Sequence, residues 1–187
     1  MPPSQRLNRP AVVQAAAELA DSLGDANRVT LAEVAAHFGI KIPSLYNHVD
    51  GLAGLRREMA LLGMRELTEA LQAAAVGRSG EAALVAIAHA YRDFAKAYPG
   101  RYGASLEAPN PDDAELVAAA QKLLLLLARV LESYHLSETD MVHVIRGFRS
   151  LIHGFVTLET LGGFKMAVDL DESFERLIEM FVAAMRG

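Results

Sequence analysis

The chain has 187 residues, 52% apolar and 22% charged, with no cysteine and a formal charge of −5. At ~150 residues per domain this is one or two globular domains rather than a disordered tail. Disulfides, thiolate metal sites and a cysteine nucleophile are excluded, and any nucleic-acid contact must be local, because the chain is not basic. No apolar run, that from Leu123 to Ala128 included, approaches the length of a membrane span, and Met1 to Arg6 has no apolar stretch behind it; a soluble, cytoplasmic chain with no membrane partner is expected.

Strand signals are almost absent, and apolar residues recur at helical spacing nearly throughout, so an all-α chain of about nine helices is expected. The first helix starts near Asn8, a cap, with Pro10 in its first turn, and buries Val12, Ala16, Leu19 and Leu23 before Gly24 ends it. Thr30 caps the second, with Glu33 at capping-box spacing, and Leu31, Val34, Ala35 and Phe38 face inward. Gly39 breaks it. Pro43 opens a third short helix, whose Leu45 and Val49 point to the core, and Asp50-Gly51 turns the chain. A long helix follows from about Leu52 to Ala75, and a fifth from about Glu81 to Ala97, closed by Pro99-Gly100. A short piece at about Arg101 to Leu106 leads into a proline-rich loop. Three further helices are expected at about Asp112 to Tyr134, Glu138 to Leu161 (capped by Ser137) and Asp171 to Met185. The chain divides near Asp50, into a head of residues 1–50 and a larger body of residues 51–187.

The second and third helices carry the function signal. A short helix, a turn opening with Gly39 and a second short helix are the outline of a helix-turn-helix. In that motif the second helix enters the major groove by its N-terminal end. Its outward residues here are Lys41, Ser44, Asn47 and His48, with Tyr46 at the flank, all able to hydrogen-bond to base edges or phosphates. The outline alone fits equally a helical hairpin with a solvated polar face.

The segment Thr30-Leu31-Ala32-Glu33-Val34-Ala35-Ala36-His37-Phe38-Gly39-Ile40, followed by Pro43-Ser44-Leu45-Tyr46-Asn47-His48-Val49, resembles the DNA-binding domain of the TetR family. There a T-x-x-x-(I/V)-A-x-x-x-G-(V/I) helix precedes an x-L-Y-x-H-(F/V) recognition helix. The resemblance covers about the first 55 residues. It implies a homodimeric, ligand-responsive transcriptional regulator, usually a repressor, acting on a double-stranded DNA operator. The head would be the helix-turn-helix domain and the body a ligand-binding and dimerisation domain. By the same resemblance Thr30 caps its helix and touches phosphate. Lys41, Ile42, Pro43, Ser44 and Asn47 face bases, and Tyr46 and His48 contact the DNA backbone. Where the family usually opens the fourth helix with a lysine, this chain has Leu52; Arg6 and Arg9, or Arg56 and Arg57, are the cations available instead. Farther on, Arg149 to Glu159 resembles the C-terminal segment of a TetR subgroup marked by a tryptophan and His-Gly. His153-Gly154 is present and the tryptophan is not.

Beyond the motif, Tyr91, Phe94 and Tyr98 share one face of the fifth helix. With Tyr102, Phe148 and Ile152 they are candidate walls of a pocket for a small hydrophobic ligand, against the plainer reading of core packing. Val144, Leu151, Phe155 and Leu158, with Phe174, Leu177, Ile178 and Phe181, form apolar stripes on the last two helices, and an isologous interface between two copies would bury them. His89 and Asp93 stand at i, i+4, with His143 as a conceivable third ligand, but such pairs arise often by chance, and neither metal nor cofactor is expected. His153 is read as a core hydrogen-bonding residue. The rival functions are a dimeric protein-binding adaptor without DNA binding, which leaves the Lys41–His48 face unexplained, and an all-α enzyme, for which no nucleophile motif or phosphate loop is found.

Overall fold

Helices begin in this chain where a side chain can satisfy the first unpaired amides. Asn8 accepts from the Ala11 amide at 2.9 Å, with Pro10 in the first turn, and α1 (Arg9–Leu23) ends at Gly24 in the left-handed region. Thr30 and Glu33 form a reciprocal capping box on α2 (Leu31–His37). After α3 (Ile42–Leu45) come α4 (Gly51–Ala75), α5 (Gly80–Ala97), α6 (Pro99–Ala104), α7 (Ala114–Leu131), α8 (Glu138–Thr160) and α9 (Leu170–Ala184). Ser137 caps α8 and Asp169 caps α9. This computed structural model describes residues 7–185, and among them the chain is all-α, with nine α-helices, two short 3-10 turns at Ala26–Arg28 and Glu132–Tyr134, and no strand.

Three boundaries differ from those expected. Pro99-Gly100 not only closes the fifth helix, which ends at Ala97, but also opens α6, because a proline in the first turn lacks only an amide that would be unpaired anyway. The third helix closes after one turn, and residues 46–48 continue as turns bonded back to Leu45. The seventh stops at Leu131 and tightens into the second 3-10 turn, which ends at His135 in the left-handed region.

The described residues pack as parts of two compact units: the residues up to Glu66 together with Ala97–Ala120, and Leu67–Lys96 together with the residues from Gln121 onward. In the first, the three short helices bury too little apolar surface to stand alone. Leu55 and Met59 of α4 complete a core formed by Val12, Ala16, Val29, Val34, Leu45 and Val49. α6 then docks on α1 with almost no space between the backbones. A Cβ on Gly100 would stand 2.2 Å from the Ala20 carbonyl carbon, and one on Gly63 of α4 would stand 2.3 Å from the Arg101 carbonyl oxygen. Arg101, 7% exposed, fastens this junction. Its amide donates to Asp21 Oδ1 at 2.9 Å, its Nη1 donates to Glu66 Oε2 at 2.9 Å, and its Nε lies 2.9 Å from Asp21 Oδ2 in an ion-pair contact. Burial pushes the Asp21 carboxyl pKa up, while the Arg101 amide and charge pull against it.

In the second unit a different guanidinium has the comparable place. Arg92 of α5, 5% exposed, donates from Nε and Nη2 to both oxygens of Glu159 on α8, at 2.9 and 2.8 Å. Its Nη1 is 2.8 Å from Asp171 of α9, and its charge lies over the rings of Phe155 and Phe174. Lys96 also donates to Glu159. These partners, Arg92 first, hold the Glu159 carboxyl below its ordinary range, and Glu159 in turn raises the pKa of Arg92. The rings of Phe155 and Phe174 pack at a tilt of 57° with 5.1 Å between centroids, and both are buried with Ile178 inside this unit. These three are therefore core residues of a single chain, and the expectation that they face a second copy is corrected: the charge and rings that cover them come from their own unit.

Two stability experiments check these junctions. Gly100→Ala should cost roughly 1–3 kcal/mol in denaturant unfolding, as expected of overpacking. Gly103→Ala, on the same short helix but with nothing within 4 Å of the new Cβ, should be neutral or stabilise by about 0.4–1 kcal/mol. For Glu159, a depressed carboxyl pKa contributes stability above its ordinary value of 4.5 and loses it as pH falls through the lowered value. Glu159→Gln should thus cost about 3 kcal/mol near neutral pH, with the two unfolding curves converging in acid.

Candidate nucleic-acid interface

The polar face expected to read DNA is built on a turn that only a few residues tolerate. Gly39 has φ 65°, yet a Cβ there would meet nothing within 4 Å, so backbone conformation and not space requires the glycine. The Gly39 and Ile40 amides donate back to Ala36 and Ala35 at 3.1 and 3.0 Å, closing α2. The chain re-enters the core through Leu45, which is 0% exposed, and Val49. With those two anchored, the intervening side chains are turned outward. Lys41, Ile42, Pro43, Tyr46 and Asn47 are exposed, Tyr46 by 58%, while Ser44 and His48 are half-buried. The Tyr46 ring rests near Gly51, whose φ of 67° starts α4.

Thr30 stands exposed at the edge of this face, and its hydroxyl has two roles already. It accepts from the Glu33 amide at 3.3 Å and donates to Glu33 Oε2 at 2.8 Å. A phosphate would compete with Glu33 for that proton.

The cations available in place of one at Leu52 are mostly committed elsewhere. Arg9 pairs with Glu58 at 2.6 Å. Arg57 is shared among Asp113, Glu115 and Glu58, which raise its pKa, and it holds the carboxyls of Asp113 and Glu115 below their usual range. Arg56 donates to the Asn27 carbonyl at 2.9 Å and, among the described residues, pairs with no carboxylate. Arg6 lies outside the described residues.

The remaining candidates are placed as follows. Tyr91, Phe94, Phe148 and Ile152 are buried in the second unit, Tyr102 is buried in the first, and Tyr98 is exposed with the Arg101 guanidinium 4.7 Å from its ring centroid. Neither unit by itself brings all six together. On α8 and α9, Val144, Leu151, Leu177 and Phe181 are half-buried and Leu158 is exposed. Sequence reading missed that Leu151 and Leu158 alternate with Gly147 and Gly154 at i, i+4, i+7, i+11, and that exposed Met180 joins Leu177 and Phe181; the spacing itself was the available signal. His89 stands 3.6 Å from Glu175 and edge-on to Phe174, and no group of three metal-ligating side chains occurs among the described residues. No described helix is long and apolar enough to cross a membrane.

Comparison with known proteins bears on this interface. Residues 84–181 match the family model described as Tetracyclin repressor-like, C-terminal domain. The chain is 36% identical to the uncharacterized HTH-type transcriptional regulator YobS of Bacillus subtilis, over 99% of this chain and 96% of that one. It is 34% identical to a second uncharacterized HTH-type transcriptional regulator, from Mycobacterium tuberculosis, over 96% of this chain and 82% of the relative. Among solved structures, TetR from Acinetobacter baumannii superposes with a TM-score of 0.68 at 16% identity, covering 97% of each chain, which is a likeness of fold.

The anchored-and-exposed arrangement predicts a split between neighbours. Leu45→Ala should cost ~2–5 kcal/mol of stability, and Tyr46→Ala no more than about 0.5 kcal/mol, read from thermal or denaturant unfolding. Equal losses would show that Tyr46 is part of the core.

Proposed function

Since the chain belongs to the TetR family of helix-turn-helix transcriptional regulators, we infer that it is a homodimeric repressor that a small molecule releases from its operator. One observation carries the DNA part of this reading: a segment of mixed polar and apolar side chains, Lys41 to His48, mostly exposed and held outward by the buried Leu45 and Val49 directly after the Gly39 turn. Lys41, Ile42, Pro43, Ser44 and Asn47 face base edges. Tyr46 and His48 take the DNA backbone, and Thr30 reaches phosphate from the edge. Side chains of mixed character are what base reading requires, whereas phosphates alone would be served by lysine and arginine.

One such segment reads only a few base pairs, so two copies must act about 34–36 Å apart on successive major grooves. The stripe of Gly147, Leu151, Gly154 and Leu158 on α8, with Leu177, Met180 and Phe181 on α9, is the face that would pair the copies. Alternating glycine and leucine lets two helices approach closely, and burial of exposed Leu158 and Met180 supplies apolar area. Val144 lies at the edge of the same face.

Release requires a ligand that binds the DNA-free conformation more tightly than the DNA-bound one. The buried aromatic set of the second unit, Tyr91, Phe94 and Phe148 with Ile152, suits an apolar ligand. α4, whose residues belong to both units, is the element through which its effect would reach the head.

Fluorescence anisotropy on DNA from immediately upstream of the chain's own coding sequence, with random DNA as competitor, tests this. Binding should survive the competitor and fall steeply with added salt. Tyr46→Ala should abolish it while sedimentation still shows a dimer. Operator binding retained by Tyr46→Ala would overturn the assignment of the reading segment.

A further inference from the structure

A cavity of about 360 Å³ lies wholly within the first unit, on the side of α4 turned toward the 3-10 turn Ala26–Arg28 and the loop after α6. It is separate from the aromatic set assigned above to the second unit. Its volume is at the lower end of the ~300–1,000 Å³ typical of small-molecule pockets. The cavity exists because the residues around it are small: Ala53 and Ala60 of α4, Gly103 and Ala104 of α6, and Ala108 of the loop. Its apolar end is formed by Met64 and Leu116, both buried. Asn27, Arg56, Glu107 and Asn110 supply its polar groups. The frame is fixed by Arg57, whose Nη2 donates to Asp113 at 2.7 Å and so clamps α4 to the segment entering α7.

The two arginines of this cavity differ. Arg57 is neutralised by three carboxylates. Arg56 is exposed, and among the described residues its one hydrogen bond goes to the carbonyl of Asn27. A guanidinium has five N–H donors in a fork that matches a carboxylate. Most of those donors on Arg56 thus have no protein acceptor among the described residues. An apolar end, small walls and a forked cation that pairs with no carboxylate among the described residues together describe a host for a small amphipathic organic acid.

We propose that this cavity is an effector site for a small monocarboxylic acid, its carboxylate on Arg56 and its hydrocarbon body against Met64 and Leu116. Occupancy would draw Arg56 from Asn27. That bond ties α4 to the turn only two residues before Thr30, the cap of α2. The acid would therefore loosen the seat of the reading segment and weaken DNA binding. This consequence rests on the DNA-binding reading, whereas binding of the acid does not.

Calorimetric titration of the full chain with 4-methylpentanoate and with its neutral isostere 4-methylpentanamide tests the site without DNA. The acid should bind, and the amide about tenfold more weakly, the loss expected for one charge-assisted hydrogen-bond pair. Arg56→Gln should erase the preference. Glu107→Gln, which removes a repelling carboxylate, should tighten the acid; a variant that gains affinity cannot owe its behaviour to misfolding. Equal affinity for acid and amide, no heat with either, or a preference surviving in Arg56→Gln would overturn the proposal. In the anisotropy assay the acid should weaken DNA binding by the native chain and leave Arg56→Gln unaffected. Binding of the acid with no DNA affinity under any condition would instead locate the failure in the function reading.

Discussion

The contact between the backbones of α1 and α6 is the constraint on which the DNA-binding unit depends. Position 100 admits no side chain, since a Cβ would overlap Ala20, and Gly63 of α4 has the same relation to the Arg101 carbonyl. Close approach of this kind leaves no room for water. The polar groups trapped beside it must be paired within the protein, or each costs about 1–3 kcal/mol. Arg101 meets most of that demand: its amide bonds Asp21 from α1 and its Nη1 bonds Glu66 from α4, while its Nε has an ion-pair contact with Asp21. Burial pushes the Asp21 carboxyl up: even beside a guanidinium, desolvation is the largest influence on it. With α1 and α4 fixed in this way, Val12, Ala16, Leu55 and Met59 present a preformed surface to Leu45 and Val49. The segment from Lys41 to His48 inherits its orientation from that surface.

The same economy explains how an acidic chain can carry a DNA-binding function. Part of its positive charge is paired within the chain. Arg9, Arg57, Arg65, Arg92 and Arg101 all pair with carboxylates of their own unit. What the reading segment itself offers is one lysine, Lys41, and a series of neutral hydrogen-bonding and apolar side chains. Such a surface gains little from counterion release per copy. On the proposed reading, affinity comes from base contacts and from coupling two copies, where the second contact is made at high effective concentration.

Local features of the fold were legible because they depend on neighbours in sequence. The caps at Asn8, Thr30 and Ser137, the stop at Gly24 and the inward pair Leu45 and Val49 follow from spacing and backbone chemistry alone. Pro99 was harder, since a proline both ends one helix and begins another, and only docking against Ala20 makes the second role worthwhile. Phe155, Phe174 and Ile178 could not be told from Leu158 by hydrophobicity. Which side of an apolar helix is covered by its own chain is a tertiary fact, decided here by Arg92 and Glu159, residues that in sequence resemble solvated surface charges. The cavity beside Arg56 left no sequence signal, because its walls are alanines and glycines that no pattern distinguishes from ordinary helix formers.

The central claim is that residues 41–48, carried in pairs by a dimer, read operator DNA. Hydroxyl-radical footprinting of the native chain on its own upstream DNA addresses this most directly. The account predicts two protected patches about one helical turn apart, related by a two-fold axis and centred on successive major grooves. A single unpaired patch, or uniform weak protection without register, would contradict it.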